Sequence, residues 1–138
     1  MLDVSNLKKI TEKNKTVLVR FDLNIPLNSI DDYISDRIIR IKKPILNLLH
    51  ENHKVIILSH LGRPNGKISN ELSLQQVVPQ LEKIIGKEIN FFPDCIGNEI
   101  KAKINSLEKW EVILLENCRL YKEEEENDHD FAKQLSEL

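Results

Sequence analysis

Val55-Ile56-Ile57-Leu58-Ser59-His60 is the stretch on which the reading of the fold turns. Successive side chains of a strand point to opposite faces, so four consecutive apolar residues place hydrophobic groups on both. A strand built this way is covered on both sides, as in parallel sheets flanked by helices. Val112-Ile113-Leu114-Leu115 repeats the pattern, and Thr16-Val17-Leu18-Val19-Arg20-Phe21 and Glu88 to Phe92 are two further strand-like runs. Between them the spacing turns helical. From Asp36 to His50, Ile38, Ile41, Ile45, Leu48 and Leu49 fall on one face, with Pro44 marking a candidate kink. Ser73 to Ile85 reads as one helix, with Ser73 and Gln76 as a capping-box pair and Gly86 as its stop, although Pro79 lies inside the stripe. Gly97 to Ile104 predicts a short helix, and Asn127 to Leu138 a longer one with Phe131, Leu135 and Leu138 on one face. The alternation predicts an α/β fold: a Rossmann-like parallel sheet with helices on both faces. No strand follows the last helical run, so the sheet is expected to be incomplete at its carboxyl-terminal end.

Composition narrows the functional classes. The chain has 138 residues, enough for one domain, with 41% hydrophobic and 30% charged residues. A net charge of -2 gives no bulk attraction to nucleic acid or to a membrane surface. No apolar run approaches the ~20 residues of a membrane span, and Met1 to Lys15 is polar and mixed in charge, unlike a signal peptide. Cys95 and Cys118 lack ligand spacing and read as small buried apolar residues. These features point to a reduced, cytoplasmic protein without structural metal. The acidic run Glu123 to Glu126 reads as a solvated helix entry.

Ligands of open α/β sheets bind beyond the carboxyl ends of the strands. There the sequence places Asp22 and Asn24, then Ser59, His60, Gly62 and Arg63, then Asp94 and Cys95, then Glu116, Asn117 and Arg119, with Arg37 opening the first helix nearby. Three arginines and a histidine on one rim suit a small anion, because arginine presents a planar donor fork to phosphate or carboxylate. Each residue also has a structural reading: Asp22 and Asn24 suit a turn cap, His60 a carbonyl partner, Arg63 a surface position before Pro64-Asn65-Gly66, and Arg119 a pairing with Glu116 or the acidic run. Gly62 to Lys67 falls short of a nucleotide phosphate loop. It has three residues between its glycines where the pattern needs four, Ile68 where Ser or Thr is needed, and Pro64 without an amide donor. Gly62 is expected instead to turn the backbone.

Four segments resemble phosphoglycerate kinases in order and spacing: Arg20-Phe21-Asp22-Leu23-Asn24-Ile25-Pro26, Ser59-His60-Leu61-Gly62-Arg63-Pro64, Asp94-Cys95-Ile96-Gly97 and Leu114-Leu115-Glu116-Asn117-Cys118-Arg119. The resemblance runs from about Thr16 to Leu138 and implies that residues 1–138 are part of the amino-terminal, phosphoglycerate-binding domain. It implies phosphoryl transfer between 1,3-bisphosphoglycerate and ADP, giving 3-phosphoglycerate and ATP, by an enzyme expected to be a monomer. By resemblance, Asp22 and Asn24 bind the hydroxyl and carboxyl end of the glycerate, and His60, Arg63 and Arg119 hold its 3-phosphate. Arg37 stabilises the transferring group, with Arg40 as its rival. The family's Mg-ADP or Mg-ATP belongs to a nucleotide lobe without a counterpart in these residues, so this chain is expected to bind no nucleotide and to be inactive alone. A stand-alone anion-binding module or an interaction domain is the alternative. The expected partners are the two phosphoglycerates, with no nucleic acid and no membrane.

Overall fold

The structure is a computed structural model that describes residues 12–26 and 34–138. The polar loop through Asn28, Ser29 and Asp31, and most of the polar start, lie outside these residues. Four parallel strands form one sheet: β1 (Thr16–Arg20), β2 (Lys54–Leu58), β3 (Ile89–Phe92) and β4 (Val112–Leu115), in spatial order β1-β2-β4-β3. The two central strands are those with the uninterrupted apolar runs, and both are buried along their whole length.

Connectivity follows from chirality. Helix α1 (Asp36–His50) carries the chain from β1 to its neighbour β2, and α2 (Val78–Ile85) carries it onward in the same direction to β3. Helix α3 (Asn98–Ser106) returns it to β4 in the opposite direction. Right-handed crossovers running in opposite directions lie on opposite faces of a sheet. Accordingly, Ile38, Ile41 and Ile45 of α1 and Leu81 and Ile85 of α2 share a core with Val55, Ile57, Val112 and Leu114. Ile100 and Ile104 of α3 share the second core with Ile56, Leu58, Ile113 and Leu115. Two further helices follow β4: α4 (Lys122–Glu125) and α5 (His129–Ser136). Phe131 of α5 is buried in the second core, with Leu135 and Leu138 against it. The fold is therefore the expected open α/β sheet covered on both faces.

Local predictions hold with one instructive exception. Helix α1 has the predicted limits and runs through Pro44, with Ser35 accepting the Arg37 amide at its start. The predicted helix from Ser73 to Ile85 is broken: Leu74–Val77 forms a 3-10 turn, and α2 begins only at Val78. Pro79 sits in the first turn of α2, where a missing amide proton leaves no helical bond unmade; Pro44, by contrast, is accommodated inside the longer α1. The capping box is not formed either. Ser73 Oγ accepts the Gln75 amide, while the Gln76 side chain donates to the Glu71 and Ser73 carbonyls. Gly86 does cap α2, in the left-handed conformation.

The two cores make a clear stability prediction. Leu114 is fully buried in the central strand, so Leu114→Ala should cost about 2–5 kcal/mol in urea unfolding. Ile68 is 90% exposed, and Ile68→Ser should be close to neutral. Equal losses at the two positions would contradict this packing.

Candidate functional site

The strands β2 and β4 are neighbours, yet the chain leaves β2 toward the α2 face and leaves β4 toward the α5 face. In open α/β sheets the carboxyl edge at such a divergence is the usual ligand position. Polar side chains hold the diverging loops. Ser59 Oγ accepts the Leu23 amide at 3.0 Å and donates to the Phe21 carbonyl at 2.8 Å, tying β2 to the segment after β1. Asn117 is fully buried, and its amide donates to the Leu61 and Leu72 carbonyls at 2.7 and 2.9 Å. Its Oδ1 accepts the Arg119 amide at 3.0 Å, which sets the backbone under that arginine. Glu116 accepts from the Leu74 and Asn117 amides and from Ser73 Oγ, so its carboxylate is occupied by the fold.

Asp22, Asn24 and Arg37 meet on the β1 side of the rim. Asp22 forms the anticipated turn, accepting the Asn24 amide at 3.0 Å, and its other oxygen pairs with the Arg37 guanidinium. Asn24 Oδ1 accepts the Gly62 amide at 2.8 Å, linking this cluster to the loop after β2. A cavity of about 490 Å3 opens here, lined by Asn24, Ile25, Pro26, Ser35, Asp36 and Arg37. Arg40, one helical turn further along α1, does not line it.

His60 and Arg119 meet on the β2 and β4 side. The His60 imidazole is half-buried and makes no hydrogen bond to another described residue. Burial, and then the positive charges of Arg119 and Arg20, hold its pKa below the ordinary value. Arg63 is exposed, with no ion-pair partner among the described residues. The structure thus brings together Asp22 with Arg37 and Asn24, and His60 with Arg119, while Arg63 is exposed in the loop after β2 and no bond or ion pair among the described residues joins it to either group.

Two participants were not anticipated. Arg20, the last residue of β1, and Glu124 of α4 join the His60 and Arg119 cluster. Glu124 Oε1 accepts from Arg20 Nη2 at 2.6 Å, and Oε2 accepts from Arg119 Nε at 3.4 Å. The acidic run is therefore not wholly solvated. Burial works to raise the Glu124 pKa, but the bonds and charges of the two arginines outweigh it and hold the carboxyl below its ordinary range. The signal in the sequence was weak, since Glu124 is one of four consecutive glutamates and only the chain path singles it out.

The loop after β2 does not fit a nucleotide phosphate. Its Gly62, Gly66 and Lys67 amides are engaged by Asn24 Oδ1, the Arg119 carbonyl and the Pro64 carbonyl. Gly62 and Gly66 have positive φ, at 63° and 69°. A Cβ on Gly66 would stand 2.9 Å from Lys122 Cβ, so this loop lies directly against the start of α4. A larger cavity of about 840 Å3 opens beyond β3 and β4, between Ser73, Asp94, Glu116 and Tyr121, and has no arginine, histidine or lysine in its wall. Cys95 and Cys118 are fully buried. Burial raises both thiols, Cys118 to about 11, so neither is a thiolate at neutral pH.

Comparison with known proteins places this geometry. The family model described as Phosphoglycerate kinase matches residues 7–138. The chain is 44% identical, over its whole length, to a protein named phosphoglycerate kinase from Wolbachia pipientis subsp. Culex pipiens, and 42% identical to one from Aquifex aeolicus. It spans 35% of each of these relatives. The crystal structure of phosphoglycerate kinase from Pyrococcus horikoshii OT3 superposes with a TM-score of 0.81 at 28% identity, over 94% of this chain and 33% of that one. The enzyme structure from Coxiella burnetii gives 0.79 at 32% identity, over 95% of this chain and 32% of that one.

The surroundings of His60 set a pH dependence. The folded chain resists protonating this ring, so the contribution of the neutral form to stability is complete above the unfolded value of about 6.5 and declines as pH falls below it. An NMR titration should place the His60 midpoint below 6.5, and Arg119→Ala should raise it. A midpoint at or above 6.5 in the unaltered chain would contradict the arrangement.

Proposed function

The chain belongs to the phosphoglycerate kinase family, and on that premise we propose that its strand-end rim is the glycerate-binding surface of a phosphoglycerate kinase. In this reading His60, Arg63 and Arg119 hold the 3-phosphate of 3-phosphoglycerate or 1,3-bisphosphoglycerate, and Asp22 and Asn24 take the hydroxyl and carboxyl end. Arg37 faces the phosphoryl group that passes between the acyl phosphate and ADP. The observation that carries the reading is the gathering of cationic and polar groups at the crevice between β2 and β4, where Asn117 fixes both loops.

The chemistry asked of these residues is modest and electrostatic. Phosphoryl transfer depends on alignment and on spreading negative charge over the transferring oxygens, with little covalent work for the protein. Guanidinium groups fixed at one end of the substrate set its direction, and a guanidinium at the other end meets charge as it moves. Arg37 is paired with Asp22, so an arriving phosphoryl group takes over a guanidinium that already has a carboxylate partner and does not have to order a free side chain.

Mg-ADP and Mg-ATP enter only as the family's co-substrates. The amides of the loop after β2 are already engaged, and among the described residues no cluster of His, Cys, Asp and Glu is suited to a metal ion. No role in nucleotide binding is therefore assigned to these residues. The second reading, for the segment by itself, is that it binds the glycerate without turning it over. Among the described residues no helix is long and apolar enough to cross a membrane.

Calorimetry on this chain should detect 3-phosphoglycerate and no saturable binding of Mg-ADP. Arg63→Ala and Arg119→Ala should each weaken phosphoglycerate binding by roughly tenfold or more, the loss of a charge-assisted bond. With the chain fused to the nucleotide lobe of a relative, Arg37→Ala should lower kcat by a factor on the order of 100 with a smaller change in KM. Arg40→Ala should change little. Near-normal kcat for Arg37→Ala with collapse for Arg40→Ala would reverse the assignment, and absence of phosphoglycerate binding would overturn the reading.

A further inference from the structure

Glu124 presents a physical puzzle if Arg119 holds a phosphate. A carboxylate beside an anion site opposes the ligand by its charge, and more strongly where solvent is thin. Only 10% of the Glu124 side chain is exposed, whereas Glu125 and Glu126 of the same run are 41% and 54% exposed. Its position thus departs from the solvated character of its neighbours.

The two bonds of Glu124 are unequal, and the inequality is informative. The contact to Arg20 Nη2 is short, 2.6 Å, and joins α4 to the end of β1 across 104 positions of sequence. The contact to Arg119 Nε is long, 3.4 Å. A short charge-assisted bond fixes the carboxylate, and a long one guides its second partner without saturating it. The Glu124 carboxylate bonds Nε, with Glu125 Oε1 farther off at 3.8 Å from the same atom, so the two terminal nitrogens of Arg119 stay available, and among the described residues no hydrogen bond engages them. Arg20 at the same time balances the Glu124 charge, which lessens its repulsion of a ligand. The Arg119 backbone is held separately, by Asn117 Oδ1 on its amide and by the Gly66 amide on its carbonyl. Glu124 supplies what those bonds cannot, the direction of the side chain.

We propose that Glu124, locked by Arg20 onto the end of β1, is a positioning residue that aims the Arg119 guanidinium at the phosphate of the bound substrate. The proposal rests on the reading of Arg119 as a phosphate ligand. It makes a prediction opposite to that of simple charge. Removing a negative group next to an anion site should tighten binding if charge alone mattered. Glu124→Gln keeps an acceptor for Arg20 but turns an amide N–H2 toward Arg119 Nε–H, releasing that arginine.

The test is calorimetric binding of 3-phosphoglycerate to the chain and its variants, paired with NMR observation of the Arg119 Nε–H. Glu124→Gln should weaken binding by about tenfold, the loss of one oriented charged contact. The protected Arg119 Nε–H signal should shift and exchange faster with water. Glu123→Gln, the same charge change at an exposed neighbour, should stay within about twofold. Glu124→Asp serves if the glutamine variant fails to fold: it keeps the charge but is one methylene short of spanning both arginines, so it too should weaken binding and alter the Nε–H signal. Binding as tight as or tighter than the unaltered chain in either folded variant would overturn the proposal. So would an unchanged Arg119 Nε–H signal. If the unaltered chain binds no phosphoglycerate, the functional reading fails, while the Nε–H comparison still decides whether Glu124 positions Arg119.

Discussion

Adjacent parallel strands that send their chains to opposite faces are the constraint from which the site derives. β2 and β4 are hydrogen-bonded neighbours; the Cys118 amide still reaches the Ser59 carbonyl, and from there the chains go on to opposite faces. Such a parting leaves backbone groups at the floor of a crevice without sheet partners, and buried amides and carbonyls demand partners. Ser59, Asn117 and Glu116 meet that demand. Their side chains are consumed by the backbone, which explains why buried polar residues follow two of the most apolar runs in the chain. The cationic residues stand immediately outward from these anchors: His60 next to Ser59, and Arg119 two residues beyond Asn117.

The electrostatics of the rim have a common logic. Burial, and then the charges of Arg119 and Arg20, lower the pKa of His60, and the Glu124 carboxylate bonds both of those guanidiniums. Asp22 serves Arg37 in the same way on the other side. Each of these arginines is thus met by a carboxylate before any ligand arrives. An anion entering such a site competes with carboxylates for oriented donors, and the cost of ordering long side chains has already been met by the fold.

Most of the fold was legible in the sequence because its signals are local. The apolar runs at 55–58 and 112–115 dictate two-sided burial, and the helical stripe from Ile38 to Leu49 runs the full length of α1. The error at Leu74–Val77 arose where two local rules conflicted. The apolar stripe favours a continuous helix, but Pro79, which has no amide proton, favours a helix starting beside it. The residues at strand ends were legible as candidates for the same topological reason. Glu124 was not, because nothing within a run of four glutamates distinguishes the one that folds back onto β1. Its partner Arg20 lies 104 positions away, and contacts of that range depend on the packed sheet.

The central claim is that one small anionic glycerate is gripped at the crevice between β2 and β4 and along the neighbouring end of β1. A heteronuclear NMR titration of the chain with 3-phosphoglycerate tests it most directly. The account predicts saturable shifts concentrated at Asp22 and Asn24, at His60 to Arg63, at the Arg37 amide and at the Arg119 Nε–H, with the His60 ring moving toward its protonated form. Shifts centred instead on Gln75, Asp94 and Tyr121, around the larger cavity beyond β3, would contradict it, as would a titration that leaves the rim unchanged.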